Sequence, residues 1–216
     1  MKKLVFFIVT VLFLASCIDD TTEPGKITGI GPFIMPLKIG NQWINLDSSF
    51  DSNGGYLWSY MDTVIILKDT ILDSEKAYLT NYNHIFQNRS DGLYYKNYSS
   101  LLNDRFYLYL KYPVISGETF QVITQVNMIR LDTVPIKVVS VDTMVTTEAG
   151  TFKCNHYKLI HFDTTSILKD LDVDSILYFY SPDIGRIKLE WYKGFYFISN
   201  DNGKYMKIYQ KSELKS

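Results

Sequence analysis

The chain has 216 residues, a formal net charge of −1 at pH 7, and 46% hydrophobic and 15% aromatic side chains. Because basic side chains do not outnumber acidic ones, the composition argues against a nucleic-acid partner. The two cysteines, Cys17 and Cys154, exclude a framework of several disulfides, so the folded body must depend on an apolar core.

The N-terminal residues have the pattern of a secretory signal. Two lysines precede an uncharged apolar run, Leu4–Ala15, and Leu14–Cys17 reads Leu-Ala-Ser-Cys. The run has about twelve residues, whereas a membrane-spanning helix needs about twenty, so we expect cleavage rather than a transmembrane anchor. Leu14–Cys17 resembles the bacterial lipobox. This resemblance implies that residues 1–16 are removed and that Cys17 carries a lipid, which would tether the chain to a membrane.

Residues 17–32 are acidic, polar and poor in bulky apolar groups. Such a segment cannot bury enough surface to order itself, and we predict a flexible tether with a reach of about 20 Å. The acidic residues directly after Cys17 resemble the surface-export signals of Bacteroidota lipoproteins. That resemblance implies an outer-membrane location in the cell envelope, on its periplasmic or surface-exposed face; an ordinary linker is the other interpretation.

Residues 33–216 are predicted to form a single β-rich domain, since no Pro/Gly/Ser-rich linker interrupts residues 36–211. Apolar and polar residues alternate in Phe106–Lys111, in Phe120–Val126 and in Arg186–Trp191, where the charged residues take one face. A period of two predicts strands with one buried face. We count about eleven such strands joined by short connections, which predicts an antiparallel meander.

Turn sequences fall between these strands. The dipeptides Asp91-Gly92 and Asn202-Gly203 supply the positive φ angles of tight hairpins. Glu148-Ala149-Gly150 has the length and the terminal glycine of a three-residue hairpin loop, and Lys193-Gly194 is similar. We expect no helix in the body beyond one short turn within residues 165–173.

Two segments of the body share a spacing of proline, glycine and aromatic residues. The shared positions are Pro36, Gly40 and Trp43 in the first segment and Pro113, Gly117 and Phe120 in the second. In each segment a proline, which cannot donate to a ladder, precedes a glycine that permits a turn. Internal duplication and coincidence are both open interpretations.

Three segments carry turn and strand-entry residues in a fixed order: Pro36–Trp43, Thr147–Cys154 and Tyr180–Lys188. In this order they resemble a group of uncharacterised, Bacteroidota-like envelope lipoproteins whose bodies are similar to the half-barrels of the Lol lipoprotein carriers. The resemblance implies a curved antiparallel sheet, a half-barrel or open barrel, with a β-sandwich as the alternative. In Lol carriers helices plug the open side of the sheet, and no amphipathic helix is predicted here.

The candidate metal ligands do not form a complete motif. Cys154 and His156 lie two apart and would share one face of a strand, which gives two zinc ligands where at least one or two more are needed. Asp170, Asp172 and Asp174 resemble the start of a calcium loop, but the glycine and the glutamate of an EF-hand are missing. We therefore predict no metal site.

No catalytic motif is present either. The chain has no G-x-S-x-G elbow, no phosphate-binding glycine loop and no dinucleotide fingerprint. We predict a protein that is not an enzyme, with no cofactor and no catalytic residues.

Aspartate followed by threonine or serine recurs along the chain. The pattern resembles the O-glycosylation acceptor of Bacteroidota envelope proteins, which implies Thr63, Thr70 and Thr133 as candidate attachment points. The other interpretation is that Asp-Thr-Val is a common strand fragment in a chain of this composition.

The aromatic residues suggest a binding function. Aromatic rings suit both apolar ligands and sugars. Our leading hypothesis is a lipid-anchored envelope protein that binds a hydrophobic or amphiphilic ligand, such as a lipid, on the curved sheet. The candidate lining residues are Trp43, Trp58, Tyr109, Tyr180 and Trp191. The alternative is a cell-surface interaction or glycan-binding module with exposed aromatics; the sequence leaves the ligand and the oligomeric state open.

Overall fold

The computed structural model describes residues 33–51, 53–97, 105–127, 130–162, 173–193 and 208–215. Within these ranges the chain forms twelve strands and no helix, so none of the described segments is a helix that could cross a membrane. The predicted all-β fold is confirmed, with twelve strands rather than about eleven. The predicted signal, Cys17 and the tether lie outside the described residues, as do Asn202-Gly203 and residues 163–172.

The strands, numbered in chain order, vary widely in length. They are β1 Gln42–Phe50, β2 Tyr56–Leu72, β3 Glu75–Thr80, β4 His84–Arg89, β5 Gly92–Asn97, β6 Tyr107–Lys111, β7 Thr119–Asn127, β8 Arg130–Thr147, β9 Gly150–Phe162, β10 Val173–Ser181, β11 Gly185–Lys193 and β12 Ile208–Leu214.

All twelve strands belong to one antiparallel sheet that curves into a nearly closed, barrel-like form. Its order is β6-β5-β4-β3-β2-β1-β12-β11-β10-β9-β8-β7. The first and last strands pair over six residue pairs, from Asn45 opposite Leu214 to Phe50 opposite Tyr209. The strand order therefore ends at β6 and β7, and we call the boundary between these two strands the β6/β7 seam.

The inner face of the sheet holds the main apolar core. The alternation predicted around residue 120 is confirmed, because Phe120 and Val122 are buried whereas Gln121 is exposed. Ile136 on β8 lies opposite both Phe120 and Leu159 of β9, and it is also buried. Alternate residues of neighbouring strands thus project to the same side and enclose a common interior.

An extended segment, Phe33–Ile39, covers one end of the sheet. Ile34, Met35 and Leu37 are buried in the main core, and the Asn88 side chain donates a hydrogen bond to the Met35 carbonyl over 2.8 Å. The Asp183 amide donates to the Phe33 carbonyl over 3.0 Å. An irregular segment therefore contributes three buried apolar side chains to the main core at this end.

The two segments with shared spacing adopt the same backbone geometry. Gly40 has φ +87° and Gly117 has φ +84°. The Gly40 amide donates to the Ile66 carbonyl on β2, and the Gly117 amide donates to the Val138 carbonyl on β8. Each segment leads into a strand that pairs with one of the two longest strands. The sheet thus consists of two six-stranded halves, β1–β6 and β7–β12, with equivalent entrances.

Two predicted hairpins are confirmed, at Asp91-Gly92 between β4 and β5 and at Glu148-Ala149-Gly150 between β8 and β9. Gly92 and Gly54 both have positive φ, but only Gly92 is crowded. A Cβ on Gly92 would lie 2.3 Å from the Leu110 carbonyl oxygen, whereas a Cβ on Gly54 would meet nothing within 4 Å.

We predict that Gly54→Ala lowers the free energy of unfolding by about 1 kcal/mol, the cost of a positive φ for a non-glycine residue. Gly92→Ala should cost about 2 kcal/mol more, since β6 must move to relieve the added overlap. Urea unfolding of both variants measures the difference. Equal losses would contradict the close approach of β5 and β6.

Candidate functional site

A cavity of about 420 Å³ lies inside the curved sheet. Its volume falls within the usual range of about 300–1,000 Å³ for small-molecule sites. Strands of both halves contribute to its wall. The ring-bearing side chains that meet there include His84, Phe86, Tyr95, Tyr109, Tyr178 and Tyr180.

These rings form a continuous network with Tyr109 at its centre. The Tyr109 ring centroid lies 6.1 Å from that of Tyr95, 6.3 Å from Phe86, 6.0 Å from Tyr178 and 6.5 Å from Tyr180. Most of these pairs are edge-to-face, the arrangement that aromatic quadrupoles favour. Tyr109 on β6 therefore connects the rings of β4 and β5 with those of β10 across the interior.

Burial raises the pKa values of three phenol groups in this network. Loss of hydration raises the pKa of Tyr95 to about 12 and raises the pKa values of Tyr178 and Tyr180 well above the ordinary value. Desolvation also lowers the pKa of His84, so its imidazole resists protonation. The wall thus presents hydroxyl groups and one neutral imidazole among apolar surfaces.

A charged pair interrupts this wall. Arg186 and Asp62 both line the cavity, and Arg186 Nη2 lies 3.9 Å from Asp62 Oδ2. The hydroxyl of Tyr82, also on the wall, donates a hydrogen bond to Asp62 Oδ1. The cavity is therefore amphiphilic, with aromatic and aliphatic surfaces next to one ion pair.

The prediction that Arg186 shares a face with Lys188 and Glu190 is wrong. Lys188 Nζ lies 2.5 Å from Glu190 Oε1. Neither of these two residues lines the cavity, whereas Arg186 does. The β10–β11 ladder shifts register at this point, because Phe179 lies opposite Lys188 while Tyr180 lies opposite Arg186. An extra residue in one strand redirects the side chains beyond it, and this bulge brings Arg186 to the same wall as Tyr180.

The cavity reaches the β6/β7 seam. Three successive residues of β6, Tyr107 to Tyr109, line it together with the successive residues Val122 and Ile123 of β7. Successive residues of a strand point to opposite faces, but β6 and β7 are the end strands of the order and the β5–β6 ladder shifts register beside Leu108. The β6/β7 seam therefore borders the cavity.

The structure brings three of the five predicted lining residues together. Trp43, Tyr109 and Tyr180 lie on the cavity wall, whereas Trp58 and Trp191 do not. Trp58 on β2 is 42% exposed, and Trp191 on β11 is half-buried outside the cavity lining. The aromatic character of a residue did not indicate which strand face it occupies, and ligand binding by these residues stays a prediction.

The candidate glycosylation sites lie on two strands. Thr70 on β2 and Thr133 on β8 are exposed, and Thr63 on β2 is half-buried. Modification at these hydroxyls stays a prediction.

Cys154 and His156 belong to the packing of the sheet. The Cys154 side chain is fully buried in a small second core with Val145 and Phe152, and burial raises the pKa of its thiol to about 12. The His156 ring stacks on Phe179 with centroids 4.3 Å apart. Among the described residues, no three His, Cys, Asp or Glu side chains are grouped as metal ligands.

Sequence reasoning missed the polar residues of the cavity. In the sequence, Asp62 is marked only by the threonine that follows it, and alternation places Arg186 on one face with Lys188 and Glu190. Tyr82, two residues before β4, and His84, the first residue of β4, carry no motif. Their convergence depends on strand pairing and on the bulge in the β10–β11 ladder, for which the sequence has no local signal.

Comparisons with known proteins give two structural similarities. No family model matches the chain, and no curated protein matches it. A proposed lipoprotein from Parabacteroides distasonis is 14% identical, with a TM-score of 0.45 over 86% of this chain and 98% of that one. A proposed exported protein with a YmcC-like fold from Bacteroides fragilis is also 14% identical, with a TM-score of 0.48 over 85% of this chain and 98% of its own.

Trp43 provides a test of the cavity wall. Its indole Nε1 donates a hydrogen bond of 2.6 Å to the Ile184 carbonyl. We predict that Trp43→Phe lowers the free energy of unfolding by about 1–3 kcal/mol, because the carbonyl loses its donor. The matched Trp58→Phe should change it by no more than about 0.5 kcal/mol, as expected for an exposed site. Denaturant unfolding followed by circular dichroism measures both; similar effects would argue against a structural role for Trp43.

Proposed function

We propose that this chain is a non-enzymatic, lipid-anchored protein of the bacterial envelope that binds one amphiphilic ligand inside its curved sheet. The observation that carries the proposal is the cavity of about 420 Å³ with an aromatic wall and a single ion pair. Apolar cavities with a few convergent polar groups are the usual form of small-molecule sites.

The apolar part of the ligand would lie among the rings around Tyr109 and the aliphatic side chains of Val122, Ile136 and Leu159, which also line the cavity. Contact with these groups removes apolar surface from water, which favours binding by about 25 cal/mol per Å² before the costs of association. The polar part would lie toward Arg186 and Asp62, where the wall offers charge and hydrogen-bonding groups.

The envelope location rests on the sequence. The lipobox at Leu14–Cys17 supports lipidation, and the acidic residues that follow support an outer-membrane location. A tether of residues 17–32 would join the described body at Phe33, at the end that Phe33–Ile39 covers.

The β6/β7 seam lies along the side of the sheet, and we propose that a ligand enters there.

A second candidate function is a surface interaction or glycan-binding module. Tyr56, Trp58 and Tyr60 alternate along β2 and are 62%, 42% and 53% exposed. The β1–β2 ladder shifts register between Ser49 and Phe50, so Trp58 and Tyr60 share one face of the strand, whereas Tyr56 lies opposite Phe50. Exposed rings of this kind suit stacking on sugar rings. In this case the ligand would bind outside the aromatic cavity.

Substitution of Leu108 tests the cavity directly. Leu108 lines the cavity at the seam, so Leu108→Trp should fill part of it and weaken the binding of an apolar fluorescent probe, N-phenyl-1-naphthylamine, by at least about tenfold, or 1.4 kcal/mol. Leu67→Trp is the matched control, because Leu67 is 53% exposed and does not line the cavity. Fluorescence titration of the folded variants gives both affinities.

Two results would contradict the proposal. Equal loss of probe binding in both leucine variants would show that the probe does not report on the cavity. Loss of binding in Trp58→Ala together with unchanged binding in Leu108→Trp would favour the exposed rings on β2 and the second candidate function.

A further inference from the structure

The polar part of the wall continues along β1 beyond the cavity lining. Trp43, which lines the cavity, is followed on the same face by Asn45 and Asp47, since alternate residues share a face. Asn45 lies directly opposite Asp62 on β2, which also lines the cavity. On the other side of β1, Asp47 lies opposite Ser212 of β12. We call Asn45, Asp47, Asp62 and Ser212 the inner polar row.

The inner polar row contains buried polar atoms without hydrogen-bond partners. Asn45 is 1% exposed and Ser212 is 6% exposed. Within the described part of the chain, Asn45 Oδ1, Asp47 Oδ1 and Ser212 Oγ are buried and have no hydrogen-bond partner. A buried polar atom without a partner costs about 1–3 kcal/mol, so a ligand that hydrogen-bonds to these atoms would remove this cost.

The geometry of Asn45 defines which of its atoms is available. Its Nδ2 donates to the carbonyl of Trp43 over 3.4 Å, which leaves Oδ1 as the free end of the amide. Oδ1 can only accept a hydrogen bond, and so can the carboxylate oxygen of Asp47. A ligand group that satisfies Asn45 Oδ1 and Asp47 Oδ1 must therefore bring N–H or O–H donors, whereas the Ser212 hydroxyl can donate or accept.

The charges in this region argue against an anionic headgroup. Among the described lining residues, Asp62 and Arg186 are the formally charged pair, and Asp47, beside the lining, adds one formal negative charge. Arg186 is already paired with Asp62. Tyr60 lies opposite Asp47 on β2 and adds no positive charge. An anionic headgroup would meet a net negative wall, whereas a neutral or cationic headgroup would not.

We infer that the ligand of the proposed cavity site has a donor-bearing, non-anionic headgroup, a polyol or a primary ammonium, which hydrogen-bonds to the inner polar row. The inference depends on the proposed function, because the apolar part of the same ligand occupies the aromatic cavity. It excludes simple fatty acids as the preferred ligand.

The test compares four probes that share a twelve-carbon chain and differ in the headgroup. Dodecylammonium has charge and donors, dodecyl glucoside has donors without charge, dodecyltrimethylammonium has charge without donors, and laurate is anionic. Each probe is titrated into the full-length protein below its critical micelle concentration. Its affinity is measured from its competition with N-phenyl-1-naphthylamine.

We expect dodecylammonium or dodecyl glucoside to bind at least about tenfold more tightly than laurate, and dodecyltrimethylammonium to bind more weakly than dodecylammonium. Whichever of dodecylammonium and dodecyl glucoside binds more tightly shows whether an ammonium group or hydroxyl groups supply the donors. Equal affinity for all four probes, or a preference for laurate, would overturn the inference about the headgroup while leaving the cavity as a binding site. Failure of all four to compete would instead overturn the proposed function.

Asp47→Asn supplies the matched variant. The substitution keeps the size of the side chain and removes its charge, so the preference for dodecylammonium over laurate should fall by about tenfold. Asp73→Asn is the control, because the Asp73 side chain is 64% exposed and belongs to the turn after β2. An unchanged preference in Asp47→Asn, with thermal unfolding like that of the control, would overturn the role of the inner polar row.

Discussion

The pairing of β1 with β12 is the interaction on which the rest of the structure depends. These strands are separated by nearly the whole described chain, yet they form six antiparallel residue pairs. Without them the meander would be two six-stranded sheets with four edges, and each would expose its apolar face. With them the sheet has one continuous inner face, and the aromatic side chains of both halves can meet in one interior.

Closure by this ladder also explains why the interior is amphiphilic. The β1 and β12 strands place Asn45, Asp47 and Ser212 on the inner face, whereas β7 and β8 place Val122 and Ile136 there. The inner face therefore has a polar part on β1 and β12 and an apolar part on β7 and β8. A protein that only needed a stable core would gain from apolar residues at the three polar positions, since buried polar atoms without partners are costly.

The local features of the fold could be predicted from the sequence, and the long-range ones could not. Alternation and turn residues such as Asp91-Gly92 and Glu148-Ala149-Gly150 were sufficient for the all-β fold and for individual hairpins. The bond from Trp43 to Ile184 joins residues 141 positions apart, and no periodicity reports such contacts. Arg186 shows the same limit on a smaller scale, because a single register shift reverses the face that strict alternation assigns. Trp58 and Trp191 were named for their residue type, which contains no information about strand face.

The equivalent glycine turns at Gly40 and Gly117 have a consequence for symmetry. A ring built from two identical six-stranded copies would contain two identical junctions, each between the last strand of one copy and the first strand of the other. In this chain one junction, β12 to β1, is a hydrogen-bonded ladder, and the other, β6 to β7, is crossed by the polypeptide itself through Tyr112–Glu118. The cavity borders the second junction, where the two-fold relationship fails. A ring with two identical junctions would close this one with a second ladder as well, so the open border of the cavity goes together with the difference between the two junctions.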